Sequence, residues 1–115
     1  MPDIAAAAAD LVERLRAGGL RACMDLADLN PPGLIVRAPE VSFRFKAGDW
    51  DAAWTVHAVS PDPGFDGAMK ILGPLIDDAQ AAVGYSAVTA RPVTFQTIDG
   101  ADLPAYELTW TDRIT

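Results

Sequence analysis

Apolar residues near the N-terminus recur at three- and four-residue steps. Ile4, Ala8, Leu11, Val12 and Leu15 share one face of a helix, predicted over about residues 3–17, while Asp10, Glu13, Arg14 and Arg16 fall largely elsewhere. Asp3 can accept hydrogen bonds from the first-turn amides, and Gly18-Gly19 supplies a left-handed stop. The alanine run favours helix and lets a neighbouring element approach closely. The period then changes. Leu20 to Met24 alternates weakly and predicts a short strand, and Asp25 to Pro32 predicts a loop because consecutive prolines cannot continue a helix. Leu34 to Ala38 predicts a second strand, broken by Pro39.

Val41, Phe43 and Phe45 alternate with Ser42, Arg44 and Lys46, the pattern of a half-buried strand. Ala47-Gly48-Asp49 has the length of a hairpin turn. From Trp50 to Ser60 a strand returns with Trp50, Ala52, Trp54, Val56 and Ala58 on one face. Its opposite face also becomes apolar towards the end, as expected of a central strand. After the turn cluster Ser60–Gly64, Asp66 is a candidate cap for a second helix with the stripe Ala68, Ile71, Leu72, Leu75, Ile76, Ala79 and Val83. Pro74 lies inside that stripe, so one kinked helix is expected, ending at Gly84. A polar linker leads to a strand over Pro92–Ile98, the turn Asp99-Gly100, and a last strand over Leu103–Asp112 carrying Tyr106, Leu108 and Trp110 on one face. The order predicts a single α+β domain spanning residues 1–115: a mostly antiparallel β-sheet with two helices packed on one face.

Half of the 115 residues are hydrophobic, and acidic residues outnumber basic ones sixteen to nine, for a net charge of −7. That balance argues against tight binding to nucleic acid, which needs clustered Lys and Arg. Cys23 is the single cysteine, so no disulfide forms within the chain, and its strand-like setting suggests a small buried hydrophobe. No basic region precedes an apolar run at the N-terminus, and no stretch has the length of a membrane span; a soluble protein made in the cytoplasm is expected.

Candidate chemistry is sparse. His57 is the single histidine and has no nucleophile near it in sequence, so a structural or surface role is expected. Neither a Walker pattern nor G-x-G-x-x-G occurs. The segment Asp62-Pro-Gly-Phe-Asp66-Gly67 resembles the opening of a calcium loop, but Gly64 and Gly73 occupy positions that need oxygen ligands. Asp77 and Asp78 point about 100° apart on a helix and suit a solvated face. Asp49 and Asp51 flank Trp50, where charge keeps a strand edge soluble. The three tryptophans occupy core-type strand positions. No enzyme activity, cofactor or metal is expected.

The stretch Gly19–Pro39 ties these elements together, with Asn30-Pro31-Pro32-Gly33 as a stiff elbow ahead of Leu34-Ile35-Val36. An ordered set of segments surrounds it. The helix ends in Gly18-Gly19, and Leu20–Asp25 leads into Leu29–Gly33. Trp54–Val59 precedes Pro61–Gly64, and the stripe from Ala68 to Val83 precedes Ala90-Arg91-Pro92 and Leu103–Tyr106. This set resembles the tail terminator family of long-tailed (siphovirus-type) bacteriophages over nearly the whole chain. Leu26, where many members of that family place a proline after the aspartate, departs from the pattern.

The resemblance implies a virion protein that forms a ring, expected to be hexameric, at the head-proximal end of the tail tube. Such a ring stops tube polymerisation and presents a surface to the head-completion proteins. Its partners would be itself, the tail tube protein and a head-completion or connector protein. DNA would pass through the lumen without specific binding, and no membrane is involved. The candidate assembly interface is Asp25, Asp28, Leu29, Asn30, Pro31 and Pro32. The same prolines equally suit a turn that only aims the following strand. Another head–tail joining protein and a small α+β ligand-binding domain are the alternative readings.

Overall fold

The computed structural model describes residues 3–43, 50–61, 64–84 and 88–114. Helix α1 (Ile4–Ala17) starts at Asp3, whose Oδ1 accepts from the Ala6 amide at 3.1 Å. It ends as its pattern demands: Gly19 takes φ +84°, and the Leu20 amide reaches back to the Leu15 carbonyl at 3.2 Å. A residue with a Cβ is strained in that left-handed conformation, which the close of the helix requires. Ala8, Leu11, Val12 and Leu15 are buried; Ile4, expected on the same face, is exposed because it sits in the first turn, ahead of the packed part of the helix.

Six strands form one mixed sheet: β1 (Ala22–Cys23), β2 (Gly33–Val36), β3 (Glu40–Phe43), β4 (Trp50–Val59), β5 (Thr89–Gln96) and β6 (Asp102–Ile114). The lateral order is β1-β2-β4-β6-β5, with β3 also on β4. Among the described residues only β1 and β2 run parallel; every other pairing there is antiparallel. β4 is central as expected. It carries β6 along its whole length on one edge, and on the other it pairs β2 through Val56–Val59 and β3 through residues 50–53. Pro39 falls in the break between β2 and β3, where the Arg37 amide still donates to the Thr55 carbonyl at 2.9 Å. The proposed turn at Ala47–Asp49, with Arg44, Phe45 and Lys46, lies outside the described residues.

Helix α2 (Phe65–Val83) runs unbroken through Pro74 and closes at Gly84 with φ +75°. Its N-cap is Gly64; Asp66, expected there, sits instead in the first turn, where its carboxylate faces the positive end of the helix dipole. β5 begins at Thr89, ahead of Pro92, and stops at Gln96. An outer strand tolerates a proline, and the Thr97 side chain is committed to the following turn.

Both helices lie on one face of the sheet. Leu15, Leu72, Trp54, Val56, Leu108 and Trp110 are part of a single buried cluster there, and Trp54 pairs directly across the ladder with Trp110. Trp50 is only half-buried and meets the exposed Phe43 edge to face, with ring centres 5.1 Å apart. Two of the three tryptophans are therefore core residues, and the third stands at the rim.

Candidate functional site

The segment between β1 and β2 crosses the sheet face that carries no helix. Asp25 turns the chain: its Oδ1 accepts from the Ala27 amide at 3.0 Å, closing a single 3-10 turn over Leu26–Asp28 inside what the sequence predicts as loop. Aspartate does this readily because its short carboxylate competes for nearby amides. The turn aims Leu26 and Leu29 onto a second apolar cluster formed by Cys23, Ile35, Val59, Phe95 and Ala105. Pro31 is half-buried, Pro32 is exposed, and the bond between them is cis. The segment ends at Gly33, where a Cβ would stand 2.8 Å from the Asn30 carbonyl oxygen, so only glycine fits without shifting backbone. The next amide, Leu34, donates to the Arg21 carbonyl at 2.7 Å.

The six predicted interface residues therefore divide. Leu29 and Pro31 turn partly inward, while Asp25, Asp28, Asn30 and Pro32 are exposed. Of these four, Asp25 is engaged in its own turn; the side chains of Asp28 and Asn30 make no hydrogen bond or ion pair among the described residues. A groove of about 250 Å³ separates this segment from the end of α1 and includes Arg16, Leu20, Arg21, Asp28, Leu29 and Asn30 in its walls. A wider hollow opens on the other side, beside Met24, Arg37 and Ala38.

A cluster that the sequence did not reveal lies on the same sheet face. Ile35, His57, Glu107 and Arg91 stand in one cross-strand row over β2, β4, β6 and β5. Glu107 serves both neighbours: Arg91 Nη2 donates to its Oε1 at 2.8 Å, and His57 Nε2 lies 3.3 Å from its Oε2. His57 thus has the positioned partner that its sequence neighbourhood lacks. Burial is the main influence on the imidazole and pushes its pKa below 6.5, against the opposing pull of Glu107. The ring is neutral at neutral pH, and its other nitrogen, Nδ1, is buried without a hydrogen-bond partner. Phe95 packs beside it at 5.4 Å.

This arrangement orients a histidine but brings it no described nucleophile. Cys23 stands two strands away in the same row, roughly 10 Å by ordinary strand spacing. Its buried thiol donates to the Leu34 carbonyl at 3.7 Å, and burial raises its pKa, which disfavours the thiolate. Among the described residues no three His, Cys, Asp or Glu side chains gather as metal ligands, and no helix is long and apolar enough to cross a membrane. Asp62 of the calcium-like segment and Asp49 lie outside those residues. Asp77 and Asp78 are exposed on α2. No protein-family model matches the chain, and no curated protein matches it.

Proposed function

We propose that this chain is a phage virion structural protein that forms a hexameric ring at the head-proximal end of the tail tube. The ring ends tube polymerisation and offers the surface that joins the tail to the head-completion proteins. The observation that carries the reading is the Asp25–Pro32 segment, part of the ordered set of motifs that resembles the tail terminator family. It is pinned at both ends, by Asp25 on its own turn and by the crowded Gly33, while Asp28, Asn30 and Pro32 face outward. A surface element that is already rigid loses little conformational entropy when it docks. Function here is surface complementarity: one ring face matches the last tube ring, and the other offers no further tube-type face. A net charge of −7 keeps passing DNA from adhering.

Asn30→Ala, or joint replacement of Pro31 and Pro32 by alanine, is expected to weaken ring or tube assembly more than folding. Oligomer mass measured beside urea stability tests this, and equal loss of both removes the segment from the interface. Electron micrographs of particles lacking the protein test the larger reading. Overlong tails support termination, whereas tails of normal length that fail to join heads favour a joining protein.

A further inference from the structure

The turn between β5 and β6 takes no part in the reading above, yet it is built like a docking element. Thr97 holds it from three sides. Its amide donates to the Ala101 carbonyl at 2.8 Å, its hydroxyl accepts from the Ala101 amide at 3.1 Å, and the same hydroxyl meets the Asp99 carboxylate. Gly100 supplies the positive φ of +88° that closes it. On this fixed turn Ile98 is 69% exposed, and the next residue, Asp99, and Asp102 at the start of β6 are exposed too. Seating such a side chain on a partner's surface removes apolar area from water.

The groove beside α1 has the converse character. Leu20, Ala22 and Leu29 line it, and its cations are Arg16 and Arg21. Arg21 has no ion-pair partner among the described residues. Arg16 is held by Nε to the Ala22 carbonyl at 3.0 Å and by Nη1 to Glu13 at 3.3 Å, which leaves Nη2 unengaged among those residues. The groove walls are polar and apolar in similar measure, and two guanidiniums stand in them in a chain of net charge −7. Asp28 also lines the groove.

Groove and turn lie at the same end of the sheet, beside the start of β2 and the start of β6, but at its opposite lateral edges. Four strand spacings, roughly 19 Å, separate the edge strands, so the turn cannot fill the groove of its own chain. We propose that the turn of one copy seats Ile98 in the groove of the next, with Asp99 and Asp102 against Arg21 and Arg16. Every copy then carries one knob and one socket, a head-to-tail contact that closes into a ring if its rotation permits. This contact rests on the ring reading and specifies which edges of the subunit meet.

Sedimentation velocity of the full chain over a concentration series is the test. The wild type is expected to self-associate, and Ile98→Ser to weaken that association about tenfold or more, while the thermal midpoint measured at a dilution where both are monomeric stays unchanged. Arg21→Asp and Asp102→Arg each weaken association, and the two changes on one chain restore it. A wild type that stays monomeric throughout, an Ile98→Ser variant that associates normally, or a charge swap without rescue overturns the contact. Tail length in particles carrying Ile98→Ser separates this contact from the ring reading. Overlong tails from a variant that associates normally leave termination standing and overturn the contact. Association through this contact, with normal tails when the protein is absent, retains the contact and overturns termination.

Discussion

The two faces of the sheet are made by alternate residues of the same strands, yet they differ in kind. On the helix-covered face Val56, Trp54, Leu108 and Trp110 are buried against α1 and α2 without a charged residue among them. On the other face the next residues along are Thr55, His57, Glu107 and Thr109, and a smaller apolar patch is packed by Leu26, Leu29, Val93 and Leu103. A strand that alternates between faces supports both: one face supplies stability through apolar area removed from water, and the other remains free to carry polar groups and contacts.

The largest effect should separate the faces outright. Leu72, on the buried stripe of α2 and 1% exposed, is expected to cost about 3 kcal/mol on change to alanine, while half-buried Leu29→Ala costs about 1 kcal/mol. Urea midpoints measure both, and equal losses would mean that the loop-covered patch is a full second core. Next, Gly33→Ala should cost about 2 kcal/mol, because the new methyl group meets backbone rather than a movable side chain. A loss below that of Leu29→Ala would show that the loop yields and is less fixed than its contacts indicate.

How much of this was legible depended on how local the cause was. The α1 stripe, its Asp3 cap and its glycine stop lie within a few residues of their partners, and the structure repeats them. The 3-10 turn after Asp25 is not legible in sequence because its signal, an aspartate two residues before a free amide, occurs in most loops. β5 begins three residues ahead of Pro92, which looks like a boundary in sequence until the strand is known to lie at an edge. The Arg91–Glu107–His57 row depends on register among three strands, with α2 inserted between two of them. No window along the chain contains that information. The six candidate interface residues were located by composition and resemblance, but which of them face outward was settled by packing.

Two smaller effects probe the helix-free face alone. His57 has a folded-state pKa held below 6.5, so an unfolded chain binds its proton first as pH falls. Stability is therefore lost from about pH 6.5 downward, through the interval between the two pKa values. His57→Gln should lose less stability than wild type between neutral pH and pH ~5, a difference that isolates the imidazole from the carboxylates. Identical acid profiles would indicate that the ring charges freely where it sits. Smallest of all, Arg91→Ala should change stability by less than about 1 kcal/mol, since this guanidinium is mostly exposed. The same change should raise the His57 titration midpoint in a proton NMR series, because Glu107 then serves His57 alone. An unmoved midpoint would show that the two pairs on Glu107 are independent.

The ladder between β4 and β6 has a kinetic consequence. Its ten register pairs join strands separated in sequence by all of α2 and β5. α2 and the β5–β6 hairpin can form from nearby residues, but the longest ladder in the sheet must wait for a large loop to close. Folding should therefore be slow for a chain of this size, with β4 and β6 among the last edges to find each other. During that interval their unsatisfied backbone groups are the ones most open to a wrong partner.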